Sequence, residues 1–236
     1  MPRQPRQFEI GGVYHIVNRG VEKRKIFQNT QDYSRFILGL ELFNKKESSN
    51  LWEVIAKVGS DPASVRIARE REKKHEPIVE LLAFALMPNH YHLIIKEITD
   101  SGISSFMQKM GGYSTYFNKQ YNRSGALFQS RYKSVTVEDN IQLGNVFVYV
   151  HTNPVELKEP GWKDLKVKNA TSAINLLENY RWSSYLDYAG KTNFPAVTQR
   201  DFFLKHYGGE KACRQAVEDW ITFKAENAQY GQEIIE

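Results

Sequence analysis

The segment at 87–96, MPNHYHLIIK, places two histidines, His90 and His92, two positions apart. Its apolar residues predict a strand, and alternate side chains of a strand lie on the same face. Two imidazoles on one face are spaced to bind one divalent ion, for which neutral imidazole is a common ligand. A pair of hydrogen-bonded core histidines explains the same pattern, so the segment alone leaves both interpretations open.

A second candidate lies at 149–154, where the sequence is YVHTNP. In a helix, Tyr149 and Asn153 would be four positions apart on one face. A proline disfavours the helical conformation of the residue before it, so Asn153 would stand at the C-terminal end of the helix. A phenol nucleophile and an amide oxygen ligand would then face the same ion. A core tyrosine followed by an ordinary Asn-Pro turn remains the alternative.

A third candidate is GALFQSRYKS at 125–134, where Arg131 and Lys133 alternate with Tyr132. Basic residues interleaved with aromatic residues suit phosphate contacts combined with base stacking. A solvated edge strand is the alternative interpretation.

The hydrophobic periodicity outlines the elements that must position these residues. It predicts strands at 13–18, 78–86, 90–96 and 134–138, and helices at 32–43, 103–121 and near 209–226. Segment 142–153 is ambiguous, because Val146, Val148 and Val150 alternate as they would in a strand. The order predicts an α+β fold with a central antiparallel sheet covered by helices on one face. His15 shares a strand face with Val13 and Val17 and is predicted to be structural.

We expect a core at 1–160 with a polar insertion at about 44–77, followed by a helical C-terminal extension at 161–236 docked on the core. The chain has 32 Lys and Arg against 27 Asp and Glu, and this basic balance fits a polyanionic partner. The single cysteine, Cys213, excludes an intramolecular disulfide and a thiolate metal cluster. The sequence shows neither a signal peptide nor an apolar run of about 18 residues, so we expect a cytoplasmic protein without a membrane partner.

Five motifs taken together resemble the HUH single-tyrosine transposases of insertion sequences, and in particular the REP-associated tyrosine transposases. They are GGVYHIVNRG (11–20), LMPNHYHLIIK (86–96), YSTYFNKQYNRSGALFQSRYKS (113–134), YVHTNPVE (149–156) and WSSY (182–185), and they occur in the family's order. An isolated His-x-His motif is weakly specific, whereas this ordered set is highly specific.

The resemblance implies a ferredoxin/RRM-like order of elements and a helix over 142–153. It also implies that His90, His92 and Asn153 hold a divalent metal, Mg or Mn, and that Tyr149 is the catalytic tyrosine. Tyr91 is more polar than the residue that the family usually has between its two histidines. The rival tyrosines share a helical spacing that is typical of packing residues: Tyr113, Tyr116 and Tyr121.

The implied activity is cleavage and rejoining of single-stranded hairpin DNA from palindromic repeats, through a 5′-phosphotyrosine intermediate, as in DNA transposition. Candidate DNA contacts are Asn18, Arg19, Arg131, Lys133 and an N-terminal arm with Arg3 and Arg6. We expect a nucleoid-associated monomer, with a homodimer as the alternative. Two rival functions are a non-catalytic protein that binds hairpin DNA or RNA, and a phosphodiesterase that uses a metal-bound water.

Overall fold

The structure, a computed structural model, describes residues 7–46, 76–162 and 169–233. Arg3, Arg6 and most of the predicted insertion at 44–77 lie outside the described residues. The strands are β1 (Val13–Arg19), β2 (Val79–Met87), β3 (His90–Glu97) and β4 (Lys133–Val137). The helices are α1 (Thr30–Leu42), α2 (Gly102–Gly111), α3 (Tyr113–Gln120), α4 (Asn140–Thr152), α5 (Ala170–Asn179), α6 (Tyr185–Tyr188), α7 (Asp201–Tyr207) and α8 (Glu210–Glu233).

The strands form one antiparallel sheet in the order β2-β3-β1-β4. β1 pairs with β4 in a register that runs from Val13 opposite Val137 to Val17 opposite Lys133. With α1 after β1, and α2 and α3 between β3 and β4, the chain follows the β-α-β-β-α-β order of ferredoxin-like folds. The predicted fold class is therefore confirmed.

Strands β2 and β3 are buried along almost their whole length. Successive strand side chains point to opposite faces, so both faces of these two strands are covered. The prediction of helices on one face does not by itself account for this burial. The continuous apolar run at 78–86 already lacks the alternation that a half-exposed strand shows.

The predicted helix at 103–121 is two helices, α2 and α3, separated at Gly112. The apolar spacing predicted the packing correctly, because Phe106, Met110, Tyr113 and Phe117 are all buried. It did not predict the break. The backbone N–H of Gly112 donates to the Lys109 carbonyl three residues back, and consecutive glycines have a low helix propensity.

The chain divides into two compact units, and β2 and β3 contribute residues to both. Within the described ranges, the first unit takes in residues 7–46, 76–81, 88–91 and 95–137. Its core is aromatic: the Phe36 ring centroid lies 5.2 Å from that of Phe27 and 5.1 Å from that of Tyr113.

The second unit takes in residues 82–87, 92–94, 138–162 and 169–233 of the described chain. Phe147 of α4 packs at its centre, with ring centroids 4.5 Å from Phe203 and 5.0 Å from Tyr188. The predicted helix near 209–226 is present as α8 and extends to Glu233. The division into a core at 1–160 and an extension at 161–236 stays a prediction.

The segment that contains the WSSY motif runs beside β2 within the second unit. The Leu86 N–H donates to the Trp182 carbonyl at 2.9 Å, and the Ser184 N–H donates to the Phe84 carbonyl at 3.0 Å. These bonds pair the backbone of β2 with a segment that sequence periodicity did not single out. None of the helices in the described ranges is long and apolar enough to cross a membrane.

Candidate active site

The ambiguous segment at 142–153 is helical and forms most of α4. The helix begins after Asp139, whose side chain accepts a hydrogen bond from the Gln142 N–H at 2.7 Å. Its buried residues Leu143, Phe147 and Val150 repeat at spacings of four and three. This helical pattern of core contacts outweighs the β-branched valines, as the family resemblance implied.

Tyr149 is one of the exposed large side chains of α4, with 38% of its surface accessible. Its ring meets the imidazole of His92 edge-on, with centroids 5.5 Å apart and planes at 87°. It also lines an open groove of about 880 Å³ together with Trp220 and Phe223 of α8. Tyr149 thus combines solvent access with contact to one of the two predicted metal-binding histidines.

Asn153 stands directly after α4 and is fully buried. Its Nδ2 donates to the Tyr149 carbonyl at 2.7 Å, which fixes the orientation of the amide. No donor among the described residues forms a hydrogen bond with its buried Oδ1 atom. A buried acceptor without a donor is costly, and a cation beside it would satisfy it. This observation fits the predicted role of Asn153 as a metal ligand.

His90 and His92 are both buried on β3, with 4% and 3% of their surfaces accessible. The Nδ1 of His90 lies 2.6 Å from the Oδ1 of Asn89, whose Nδ2 donates to the Lys23 carbonyl at 3.3 Å. Because an amide oxygen only accepts, Nδ1 carries the ring proton and Nε2 is the unprotonated nitrogen of neutral His90. A metal-binding histidine is usually oriented in this way, by a hydrogen bond from the ring nitrogen that does not bind the metal.

The structure brings His92, Tyr149 and Asn153 together in the second unit, whereas His90 belongs to the first. Among the described residues, no group of three or more His, Cys, Asp or Glu side chains is placed to hold a metal ion. The predicted metal ligands are two imidazoles and one amide. They are not a group of this kind, because an amide is not one of these four side-chain types.

The three rival tyrosines are engaged in structural hydrogen bonds of the first unit. Tyr113 donates to the Ile26 carbonyl at 2.6 Å, and burial raises its pKa. Tyr116 and Tyr121 donate to the Asp32 carboxylate at 3.0 and 2.7 Å. Burial, together with Asp32, raises the pKa of Tyr116 to about 12, and the same two causes raise the pKa of Tyr121. These contacts support their interpretation as packing residues.

The candidate DNA contacts within the described residues all belong to the first unit. Arg131 and Lys133 are exposed, and Asn18 and Arg19 are half-buried. The Arg19 carbonyl accepts from the Gln129 N–H at 2.9 Å, so the end of β1 lies beside the segment that leads to Arg131. Asn18 and Arg131 line a common cavity.

Sequence reasoning missed the contact between His151, which lies on α4 two residues after Tyr149, and Ser184. Both are fully buried in the second unit, and burial lowers the pKa of His151 to about 3, which keeps the ring neutral. The signal was available, because His151 lies within the 149–156 motif and Ser184 within WSSY. Without a fold, nothing connected the two motifs.

The family described as "Transposase IS200 like" matches residues 11–153. This range runs from two residues before β1 to Asn153 and includes His90, His92 and Tyr149. A solved structure described as "Structure of the REP associates tyrosine transposase bound to a REP hairpin" is similar at 17% identity, with a TM-score of 0.47. The likeness covers 84% of this chain and 94% of that one. No match was found among the curated proteins. Since the family match covers more than half of the 236 residues, the chain belongs to the IS200-like transposase family.

Proposed function

We propose that this protein is a metal-dependent endonuclease and strand transferase that cleaves single-stranded DNA with Tyr149. The observation that carries the proposal is the exposed Tyr149 ring against His92, one helical turn before Asn153. Membership of the IS200-like transposases supports DNA transposition chemistry. The proposed substrate is a hairpin formed by a palindromic repeat, as the sequence motifs imply.

The residues proposed to hold the metal are His92, Asn153 and His90, which precedes His92 by two positions on β3. The buried Oδ1 of Asn153 and the proton-free Nε2 of neutral His90 supply donor types that Mg and Mn accept in mixed oxygen and nitrogen sites. A bound divalent ion would offset the negative charge of the scissile phosphate in the transition state.

In the proposed reaction, the Oη of Tyr149 attacks the phosphorus atom and forms a phosphotyrosine bond. The bond from phosphorus to the 3′-oxygen of the neighbouring nucleotide breaks. The phenol loses one proton and the departing oxygen gains one, so the products are a 5′-phosphotyrosine and a free 3′-hydroxyl. The new ester conserves the energy of the old bond, so the reverse attack by a 3′-hydroxyl rejoins DNA without ATP.

The chain's own residues hold the nucleophile in place. The hydrogen bond from Asn153 to the Tyr149 carbonyl anchors the end of α4. The imidazole of His92 packs against the phenol ring and restricts its rotation. A nucleophile held near its reacting position loses less entropy on reaching the transition state.

The decisive experiment is a denaturing gel of the protein with labelled single-stranded hairpin oligonucleotides, with and without Mg or Mn. We expect a metal-dependent, slower-migrating band that carries the label. Tyr149→Phe should abolish the band. Tyr121→Phe is the matched control, because it also removes one phenol hydroxyl, and it should keep the band.

Each other outcome points to a rival function. Cleavage without an adduct, unchanged in Tyr149→Phe, would establish hydrolysis by a metal-bound water. Tight binding without cleavage, across a panel of palindromic repeats, would establish a non-catalytic hairpin-binding protein. We propose a monomer as the active species, which light scattering of the protein with its hairpin tests directly.

A further inference from the structure

A cavity of about 570 Å³ lies wholly within the first unit. Its size is within the range of about 300–1,000 Å³ that is usual for pockets that bind small organic groups. The side chains relevant to its chemistry combine aromatic rings with hydrogen-bonding and cationic groups. They are Asn18, Tyr91, Gln108, Phe128, Arg131 and Tyr132.

The cavity joins three motifs that are far apart in the sequence. Asn18 comes from the end of β1, Tyr91 from β3, and Arg131 and Tyr132 from the segment just before β4. The function proposed for His90 and His92 leaves Tyr91, the residue between them, without a role.

Tyr91 is almost fully buried on β3. Its side chain forms a hydrogen bond with that of Asn18. Its ring meets that of Phe128 edge-on, with centroids 5.9 Å apart. The wall of the cavity therefore has an aromatic surface and a fixed polar group next to each other.

We infer that this cavity binds one unpaired nucleobase of the DNA strand, with Arg131 on an adjoining phosphate. An unpaired base has a flat face that stacks on aromatic rings and an edge of donors and acceptors that suits amides and hydroxyls. Gln108 and Arg131 are exposed, as expected for side chains that contact a DNA strand entering the cavity from solvent. The inference rests on the proposed function, because it takes the substrate strand as the ligand.

Fluorescence anisotropy of the full chain with labelled hairpin DNA in EDTA tests binding separately from cleavage. Each unpaired position of the DNA is replaced in turn by the four bases and by an abasic site. We expect one position at which loss of the base weakens binding about tenfold. Tyr91→Phe and Gln108→Ala should reduce this preference to within about twofold, while binding the abasic DNA as the wild type does.

Ser105→Ala is the matched control, because Ser105 is exposed on the same helix, α2, and does not line the cavity. Melting temperatures establish that all three variants fold. The inference is overturned if no unpaired position shows a base preference, or if the preference survives in both cavity variants.

The adduct gel distinguishes this inference from the proposed function. Adduct formation through Tyr149 together with an unaltered base preference in both cavity variants refutes the base pocket alone. A base preference that depends on Tyr91 and Gln108, in a chain that forms no adduct, supports the pocket and refutes the proposed chemistry. A chain that binds none of the hairpins overturns both.

Discussion

The Nε2 atom of His151 lies 2.8 Å from the hydroxyl oxygen of Ser184. Ser184 is in turn held on β2, since its Oγ accepts from the Phe84 N–H at 2.9 Å. His151 lies on α4, two residues after Tyr149. The pair therefore ties the helix of the proposed nucleophile to strand β2 inside the second unit.

Replacing Ser184 with alanine should lower the free energy of unfolding by about 1–3 kcal/mol, because buried polar groups on Phe84 and His151 lose their partner. Urea unfolding measures the loss. Ser183→Ala is the control, because Ser183 is equally buried and its hydroxyl accepts a longer bond, at 3.3 Å, from the Tyr185 N–H. Equal losses in the two variants would remove the special role of the contact between His151 and Ser184.

Tyr121→Phe should lower the free energy of unfolding by about 1–3 kcal/mol, because it removes a hydrogen bond to a buried carboxylate. The bond in question joins Tyr121 to Asp32 in the first unit. The variant should still form the covalent DNA adduct at the wild-type rate. Unfolding curves and the adduct gel together check this, and a folded Tyr121→Phe protein without adduct would contradict the assignment of Tyr149.

Asn153→Ala should raise the dissociation constant for Mn²⁺ at least tenfold. Changes to residues that only orient metal ligands already weaken binding about 10- to 100-fold, and Asn153 is proposed to be a ligand itself. Electron paramagnetic resonance of free Mn²⁺ measures the constant. Asn145→Ala is the control, since Asn145 is an exposed amide on α4, one turn before Tyr149. Unchanged affinity in folded Asn153→Ala would exclude it from the ligand set.

Arg131→Gln and Lys133→Gln should each reduce the steepness with which DNA affinity falls with salt. In a plot of log affinity against log salt, the slope should change by about one for each lost phosphate contact. Anisotropy titrations between low and moderate salt give the slopes. Lys205→Gln removes an exposed charge from α7 and should leave the slope unchanged. If neither Arg131→Gln nor Lys133→Gln changes the slope, the phosphate contacts lie elsewhere on the protein.

His15 should make the fold less stable in mild acid. Burial lowers its pKa to about 4 in the folded state, from about 6.5 in an unfolded chain. Between these values the unfolded chain binds the extra proton, so stability falls as pH decreases, by up to about 1.4 kcal/mol per pH unit. Urea unfolding at pH 7, 6 and 5 should show a flatter decline in His15→Gln. The exposed His206→Gln should decline as the wild type does.

Local patterns predicted those parts of the fold that depend on neighbouring residues. The apolar runs predicted β2 and β3, and helical spacing predicted which residues of α2 and α3 are buried. The motif order implied the helix at Tyr149, which the alternating valines alone left undecided. Because a helix or strand period is a property of consecutive residues, it is visible without a fold.

Only the tertiary structure decided which of those residues meet. Tyr113, Tyr116, Tyr121 and Tyr149 are the same chemical group in the sequence. Tyr116 and Tyr121 donate hydrogen bonds to the Asp32 carboxylate, whereas Tyr149 is accessible to solvent and contacts the His92 ring. The contact between His151 and Ser184, and the meeting of Asn18 with Tyr91 and Arg131, join positions far apart in the chain. Local periodicity has no information on such distances, so packing alone settles them.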